Sequence, residues 1–237
     1  MPSRPKSCTE VSTASTSSPG RADARLIPRV PGCVDRTVSK RIYREGSEVH
    51  TSIQTPRLEL VPATVELVQA ELRDSEDFGR LLDAHVPESW PPELYDRAAA
   101  EYTIARLNDG AEQRGWWLHY IVMKATSPDP RLVIGTCGFK GPPAADGTVE
   151  IGYGILPEFR RRGYAAEAVK GLLLHAFRYR QVTRVSAETL PNLVPSIAVL
   201  RKSGFRCVGE GSEDGIIRYD LLRAEFESQG SRFRVPS

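Results

Sequence analysis

The residues with the most chemical content lie in one run, Glu150-Ile151-Gly152-Tyr153-Gly154-Ile155-Leu156-Pro157-Glu158-Phe159-Arg160-Arg161-Arg162-Gly163-Tyr164-Ala165-Ala166-Glu167-Ala168. It reads as a strand, a basic turn containing glycine, and the start of an amphipathic helix. Successive backbone N–H groups at such a turn, reinforced by the helix dipole, form an anion site suited to a pyrophosphate. Gly163 and the small Ala165 permit close approach of a ligand. The turn matches neither G-x-x-x-x-G-K-[ST] nor G-x-G-x-x-G, which disfavours the commonest nucleotide loops. Two readings stay open on the turn alone: a phosphate-binding cradle, or a solvated arginine cluster at the start of an ordinary helix.

The elements that would position this run can be read from hydrophobic period. Ala165, Ala168, Val169, Leu172, Leu173 and Ala176 recur on one helical face, so a helix is expected over 164–179. Before it, Trp116 to Met123, Leu132 to Phe139 and Val149 to Leu156 are short apolar runs. Pro128-Asp129-Pro130 and Pro142-Pro143-Ala144-Ala145-Asp146-Gly147 separate them, the pattern of an antiparallel meander. Upstream, Arg57 to Val61 alternates as a half-buried strand. A helix capped by Thr64 and a short one after Ser75 follow. Pro91-Pro92 is expected to open another helix that closes at Asp109-Gly110. Downstream come a strand at Arg184 to Thr189, a helix from Ser196 to Lys202, and strands near Phe205 to Gly209 and Ile216 to Leu222.

The 237 residues suffice for one domain of ordinary size plus a tail. Nine of the first 20 residues are Ser or Thr, and five prolines lie within the first 31. Such a segment buries too little apolar surface to offset its ordering entropy, so residues 1–52 are expected to be a disordered extension. The domain is expected over 53–228, with a flexible tail over 229–237. Residues 1–50 hold nine Lys/Arg against five Asp/Glu, and the remainder holds 23 against 25. A near-neutral domain argues against nucleic acid as a partner, because that affinity depends on clustered cations. Cys8, Cys33, Cys137 and Cys207 are scattered, with no C-x-x-C pair and no histidine at ligand spacing, so no metal site is expected. There is no apolar stretch of membrane-spanning length and no secretory pattern, which points to a cytoplasmic protein without a membrane partner.

Arg160-Arg161-Arg162-Gly163-Tyr164-Ala165 resembles the Q/R-x-x-G-x-G/A signature of the GNAT N-acetyltransferases, and Glu150 to Ala168 resembles their strand-loop-helix for coenzyme A. Ser196-Ile197-Ala198-Val199-Leu200-Arg201-Lys202-Ser203-Gly204-Phe205 is similar to the later helix and Gly-Phe turn of the RimJ/RimL-like branch. Thr55-Pro56-Arg57-Leu58-Glu59-Leu60 resembles that branch's opening strand. The resemblance spans about residues 55–226. It implies an α/β fold with a mixed, mainly antiparallel sheet, helices on both faces, and strands splayed beside the cosubstrate acetyl-coenzyme A.

The resemblance also implies roles. Arg160, Arg161, Arg162, Gly163, Tyr164 and Ala165 would bind the pyrophosphate, largely through backbone. Tyr153 and Ile155 would offer main-chain groups to the pantetheine arm, and Asn192 would sit near that arm. Glu150 matches a strand glutamate used as general base for the acceptor amine. The oxyanion donor would be a backbone N–H beside Gly152 or Gly154, where glycine eases a bulge. Many relatives carry a proton-donating tyrosine four residues before the glycine of the Gly-Phe turn, a position that is Leu200 here. Ser196 is then the candidate acid, with helix capping as its alternative role. The expected partner is an amine, either a protein N-terminus or a small molecule. A catalytically silent coenzyme A-binding module is the rival from another class, and a nucleotide phosphate-binding protein is a second.

Overall fold

The computed structural model describes residues 42–45, 48–110 and 115–229. Strands β1 (Ile42–Glu45) and β2 (Glu48–Thr51) pair as a separate hairpin, within the segment for which disorder was expected. Residues 1–41 and 230–237, which carry most of the expected extension and tail, lie outside the described residues.

Next come β3 (Ile53–Gln54), β4 (Leu58–Pro62), α1 (Val65–Arg73), α2 (Ser75–Leu82), α3 (Arg97–Asn108), β5 (Leu118–Met123) and β6 (Leu132–Phe139). They are followed by β7 (Thr148–Ile155), α4 (Tyr164–Ala176), β8 (Arg184–Thr189), α5 (Val194–Lys202), β9 (Arg206–Glu210), β10 (Ile217–Leu222) and α6 (Arg223–Ser228). One eight-stranded sheet runs in the order β3-β4-β5-β6-β7-β8-β10-β9. Its pairs are antiparallel except β7–β8, which is parallel. The expected mixed, mainly antiparallel architecture with helices on both faces is the one observed.

Alternation along the strands feeds two cores, because successive side chains point to opposite faces. Leu58, Leu60, Ile134, Ile151 and Val185 pack with Leu172 and Leu173 of α4 on one face. Val61, Tyr120, Val122 and Val133 pack with Leu67, Phe78, Leu82 and Leu107 of α1 to α3 on the other. Thr64 caps α1 as expected, its hydroxyl accepting from Leu67 N at 3.1 Å. Strand ends shift by one or two residues, and three helix boundaries differ from expectation. Helix α3 starts at Arg97, capped by the Asp96 carboxylate, so Pro91-Pro92 lies in the preceding loop and opens no helix. Helix α4 ends at Ala176, where the Arg223 guanidinium draws the carbonyls of Phe177 (3.0 Å) and Tyr179 (2.6 Å) out of the helical pattern. Helix α5 begins two residues earlier, at Val194 with Pro195 in its first turn, so Ser196 is an interior residue and not the cap.

Two histidines are enclosed beside the sheet. His119 is buried with Nδ1 3.0 Å from Trp117 O, and His175 sits among Trp116, Phe139 and Tyr179 with ring centroids 5.5–5.9 Å away. Burial pushes His119 down to about 3 and His175 down to about 4. Both rings are therefore neutral when folded, whereas the unfolded chain takes up protons below about pH 6.5. Folded-state stability from these groups is complete above that pH and declines as pH falls toward about 4. The melting temperature should drop over this interval, and His175→Phe should flatten the drop. A melting temperature constant from pH 6.5 to 4 contradicts it.

Candidate active site

The basic turn joins β7 to α4. Pro157–Phe159 form a single 3-10 turn, Arg160 is extended, and both Arg161 (φ 62°) and Gly163 (φ 83°) adopt left-handed backbone. Left-handed residues interleaved among others turn neighbouring amides inward, the geometry of an anion nest. Gly163 occupies the N-cap position, and among the described residues no side chain caps α4. The first-turn N–H groups at the positive end of the helix dipole are thus available to an anion. Arg161, Arg162 and Gly163 are exposed. These features fit a pyrophosphate.

Arg160 does not aim its guanidinium into the turn. Nε donates to Ile155 O at 2.9 Å and Nη2 to the Glu93 carboxylate at 2.8 Å. A buttress lies on the other side. Arg57 Nη1 donates to Arg162 O (3.1 Å), and its guanidinium lies 4.5 Å from the Tyr164 ring centroid. Glu167 holds that arginine, accepting from Arg57 N at 2.7 Å and Nε at 2.6 Å, and also takes the Thr55 hydroxyl at 2.7 Å. Burial alone raises the Glu167 carboxyl, but the Thr55 hydroxyl and the Arg57 amide and guanidinium together hold it below its ordinary range. Residues 55–57 are thereby strapped to the turn. Their motif was visible in sequence, but a contact across 110 residues leaves no local signal.

The cleft beside the turn comes from divergence of two strands. Parallel pairing of β7 with β8 spans Thr148↔Arg184 to Glu150↔Ser186, whereas β7 stays paired with β6 out to Ile155↔Gly135. Glu150 O accepts from Lys140 N and Leu156 N donates to Ile134 O, so the even-numbered residues bond toward β6. By alternation, the main-chain groups of Ile151, Tyr153 and Ile155 face the opened edge. No bulge occurs in the β6–β7 register at Gly152 or Gly154, which corrects that expectation: β7 remains regular and β8 moves away. The amide beside both glycines that faces the cleft is that of Tyr153.

The Tyr153 side chain spans to helix α5. Its hydroxyl donates to Ser196 O at 3.1 Å and lies 3.2 Å from Ser196 Oγ. Burial pushes the phenol up to about 12, with the serine contact opposing, so it is protonated at neutral pH. Leu200, at the position of the missing tyrosine, is buried in the core. Asn192 is exposed, and its carbonyl accepts from Val194 N at 2.9 Å.

Glu150, Gly152 and Gly154 share the face of β7 opposite Tyr153. The Glu150 carboxylate pairs with Lys140 Nζ. It opens onto a pocket of about 390 Å³, lined also by Asp146, Thr148, Arg184 and Asp220. A Cβ at Gly152 would meet nothing within 4 Å, whereas one at Gly154 would lie 3.4 Å from Pro92. The floor is therefore open over Gly152, with Glu150 at one end and the loop carrying Pro92 at the other. Among the described residues no group of three or more His, Cys, Asp and Glu side chains is placed to hold a metal ion, and no helix is long and apolar enough to cross a membrane.

The chain matches the family described as acetyltransferase (GNAT) domain over residues 64–206. It belongs to that family, and is an acetyl-coenzyme A-dependent N-acetyltransferase. It is 28% identical over 154 residues to the N-acetyltransferase YjdG of Bacillus subtilis (strain 168), covering 65% of this chain and 88% of YjdG. A GnaT-family acetyltransferase structure from Bordetella pertussis superposes with a TM-score of 0.53 at 19% identity, covering 73% of this chain and all of that one (100%). The ribosomal alpha-N-protein acetyltransferase RimL in complex with coenzyme A gives a TM-score of 0.52 at 17% identity, with coverage of 72% and 97%. At these identities the two structures show a shared fold.

Proposed function

We propose that this enzyme acetylates a primary amine, a protein N-terminus or a small amine, by direct attack, as expected of the RimJ/RimL-like branch. The reading rests chiefly on one observation: the strands part just past Glu150, with the anion nest at the wide end and a carboxylate at the narrow end. Acetyl-coenzyme A supplies the acyl group as a thioester. The nest from Arg161 to Ala165 holds its pyrophosphate, and the free edge of Tyr153 pairs with its amide-bearing arm. Arg160 holds the end of β7 to the turn rather than touching phosphate, and Asn192 lines the far side of the mouth.

Glu150 takes the proton of the attacking amine, directly or through one water. The Tyr153 N–H donates to the acyl oxygen as negative charge develops there. With the one Tyr153 proton on Ser196 O, the Ser196 hydroxyl, 3.2 Å from the phenol oxygen, turns from that oxygen to donate to the departing sulfur. A thiolate of pKa about 8.5 leaves readily, so a hydrogen bond there suffices. The catalytic unit spans 53–228 in this reading.

Release of free thiol from acetyl-coenzyme A, measured across Ser-initiated and Met-initiated peptides and small polyamines, tests the proposal. Amine-dependent release is expected. Coenzyme A binding without release for any amine establishes the silent-module alternative.

A further inference from the structure

The helical layer of α1 to α3 contains a half-buried carboxylate that the chemistry above does not use. Glu71, on α1, accepts from Trp90 Nε1 at 2.8 Å, Tyr95 Oη at 3.0 Å and Tyr120 Oη at 2.7 Å. All three donors are neutral, and burial pushes the carboxyl up although the three bonds pull it down. Such an anion costs stability unless its hydrogen bonds are complete. An amphipathic helix would be simpler with an apolar residue here, so the arrangement asks for a purpose.

Its geometry supplies one. Trp90 and Tyr95 flank Pro91 to Leu94, so a single carboxylate grips both ends of that loop. Between the grips Leu94 is held at φ 66° with 92% of its surface exposed. A non-glycine residue persists in the left-handed region where its flanks over-determine it. Pro92 is buried over Gly154 of β7, and the Glu93 carboxylate bonds Arg160 at the start of the cosubstrate turn. Ser89 also donates to Glu158 within the turn. The loop thus touches the Glu71 anchor on one side and the cosubstrate turn on the other.

We infer that Glu71 is a positioning residue for cosubstrate binding: by gripping Trp90 and Tyr95 it holds the 87–96 loop against β7, and through Glu93 and Arg160 it fixes the entry to the turn. This rests on the acetyltransferase reading of the turn. Glu71→Gln keeps the shape but removes the charge and one acceptor oxygen, so the tyrosine hydroxyls must turn to accept from a neutral amide, loosening the grip. Glu93→Gln cuts the same line at the opposite end without disturbing the cluster around Glu71.

Calorimetric titration of the full chain with coenzyme A tests the inference, alongside amide exchange over residues 87–96. Each single substitution should weaken affinity about threefold, the scale of a partly exposed ion pair. The double variant should lose no more than the worse single, because both act on one line of contacts. Exchange over 87–96 should rise in Glu71→Gln, while Glu66→Gln, exposed on the same helix, should match the parent in both readouts. A folded Glu71→Gln protein with parental affinity overturns the inference, as do losses that add in the double variant. If Glu71→Gln does not fold, Tyr95→Phe, which removes one donor, takes its place under the same criteria. A parent that fails to bind coenzyme A refutes the acetyltransferase reading instead. Unchanged exchange over 87–96 in Glu71→Gln refutes the grip in either case.

Discussion

Glu150→Gln should lower turnover by about two orders of magnitude, the low end for loss of a general base, while acetyl-coenzyme A affinity stays within about twofold because no nest residue is altered. The amide has the carboxylate's size, so the pocket beside Lys140 keeps its shape and only the proton acceptor is lost. The deficit should shrink with rising pH. An α-amino acceptor has a pKa of about 7.7–8.0, and above it the amine no longer needs its proton removed before attack. A pH–rate profile of parent and variant with one acceptor makes the comparison. Parental turnover at neutral pH removes Glu150 from the mechanism.

Gly163→Val should weaken coenzyme A binding at least tenfold, about 1.4 kcal/mol. Backbone conformation adds a second cause to the obstruction of close ligand approach. A Cβ at Gly163 would meet only Arg57 Nη2, at an ordinary 3.4 Å, but the residue sits at φ 83°. A β-branched side chain resists that region, and rotating out of it turns the following amides away from the anion. Helix α4 continues for 13 residues beyond this point, so the stability loss should be the smaller effect. Arg161→Ala is the comparison: it removes an exposed charge, and should cost less affinity and leave a weaker salt dependence. Titration of both variants with coenzyme A and with ATP separates the ligands. Equal coenzyme A affinity of Gly163→Val and parent defeats the cradle, and tighter parental binding of ATP favours a nucleotide.

Hydrophobic period and turn chemistry are local properties, and the elements they govern were legible. Strands β6 and β8 fall on the residues expected from their apolar runs, and α4 starts at Tyr164 as its periodic face requires. The basic turn with Gly163 was likewise readable, since its residues are contiguous and their conformational demands are their own. Boundaries failed where a distant group intervened, as at the end of α4, where Arg223 captures carbonyls more than 40 positions upstream. The working arrangement depends on such contacts throughout. Tyr153 meets Ser196 across 43 positions, Glu167 grips Arg57 across 110, and Glu71 gathers Trp90, Tyr95 and Tyr120 from a loop and a strand. The sequence by itself therefore determined most of the elements from β4 to β10, in order, and the basic turn at Gly163, because period, capping and backbone conformation act over a few residues. Only the tertiary structure decided where β7 and β8 part and which side chains meet around Glu150, because those outcomes depend on the packing of two helical layers against opposite faces of one sheet.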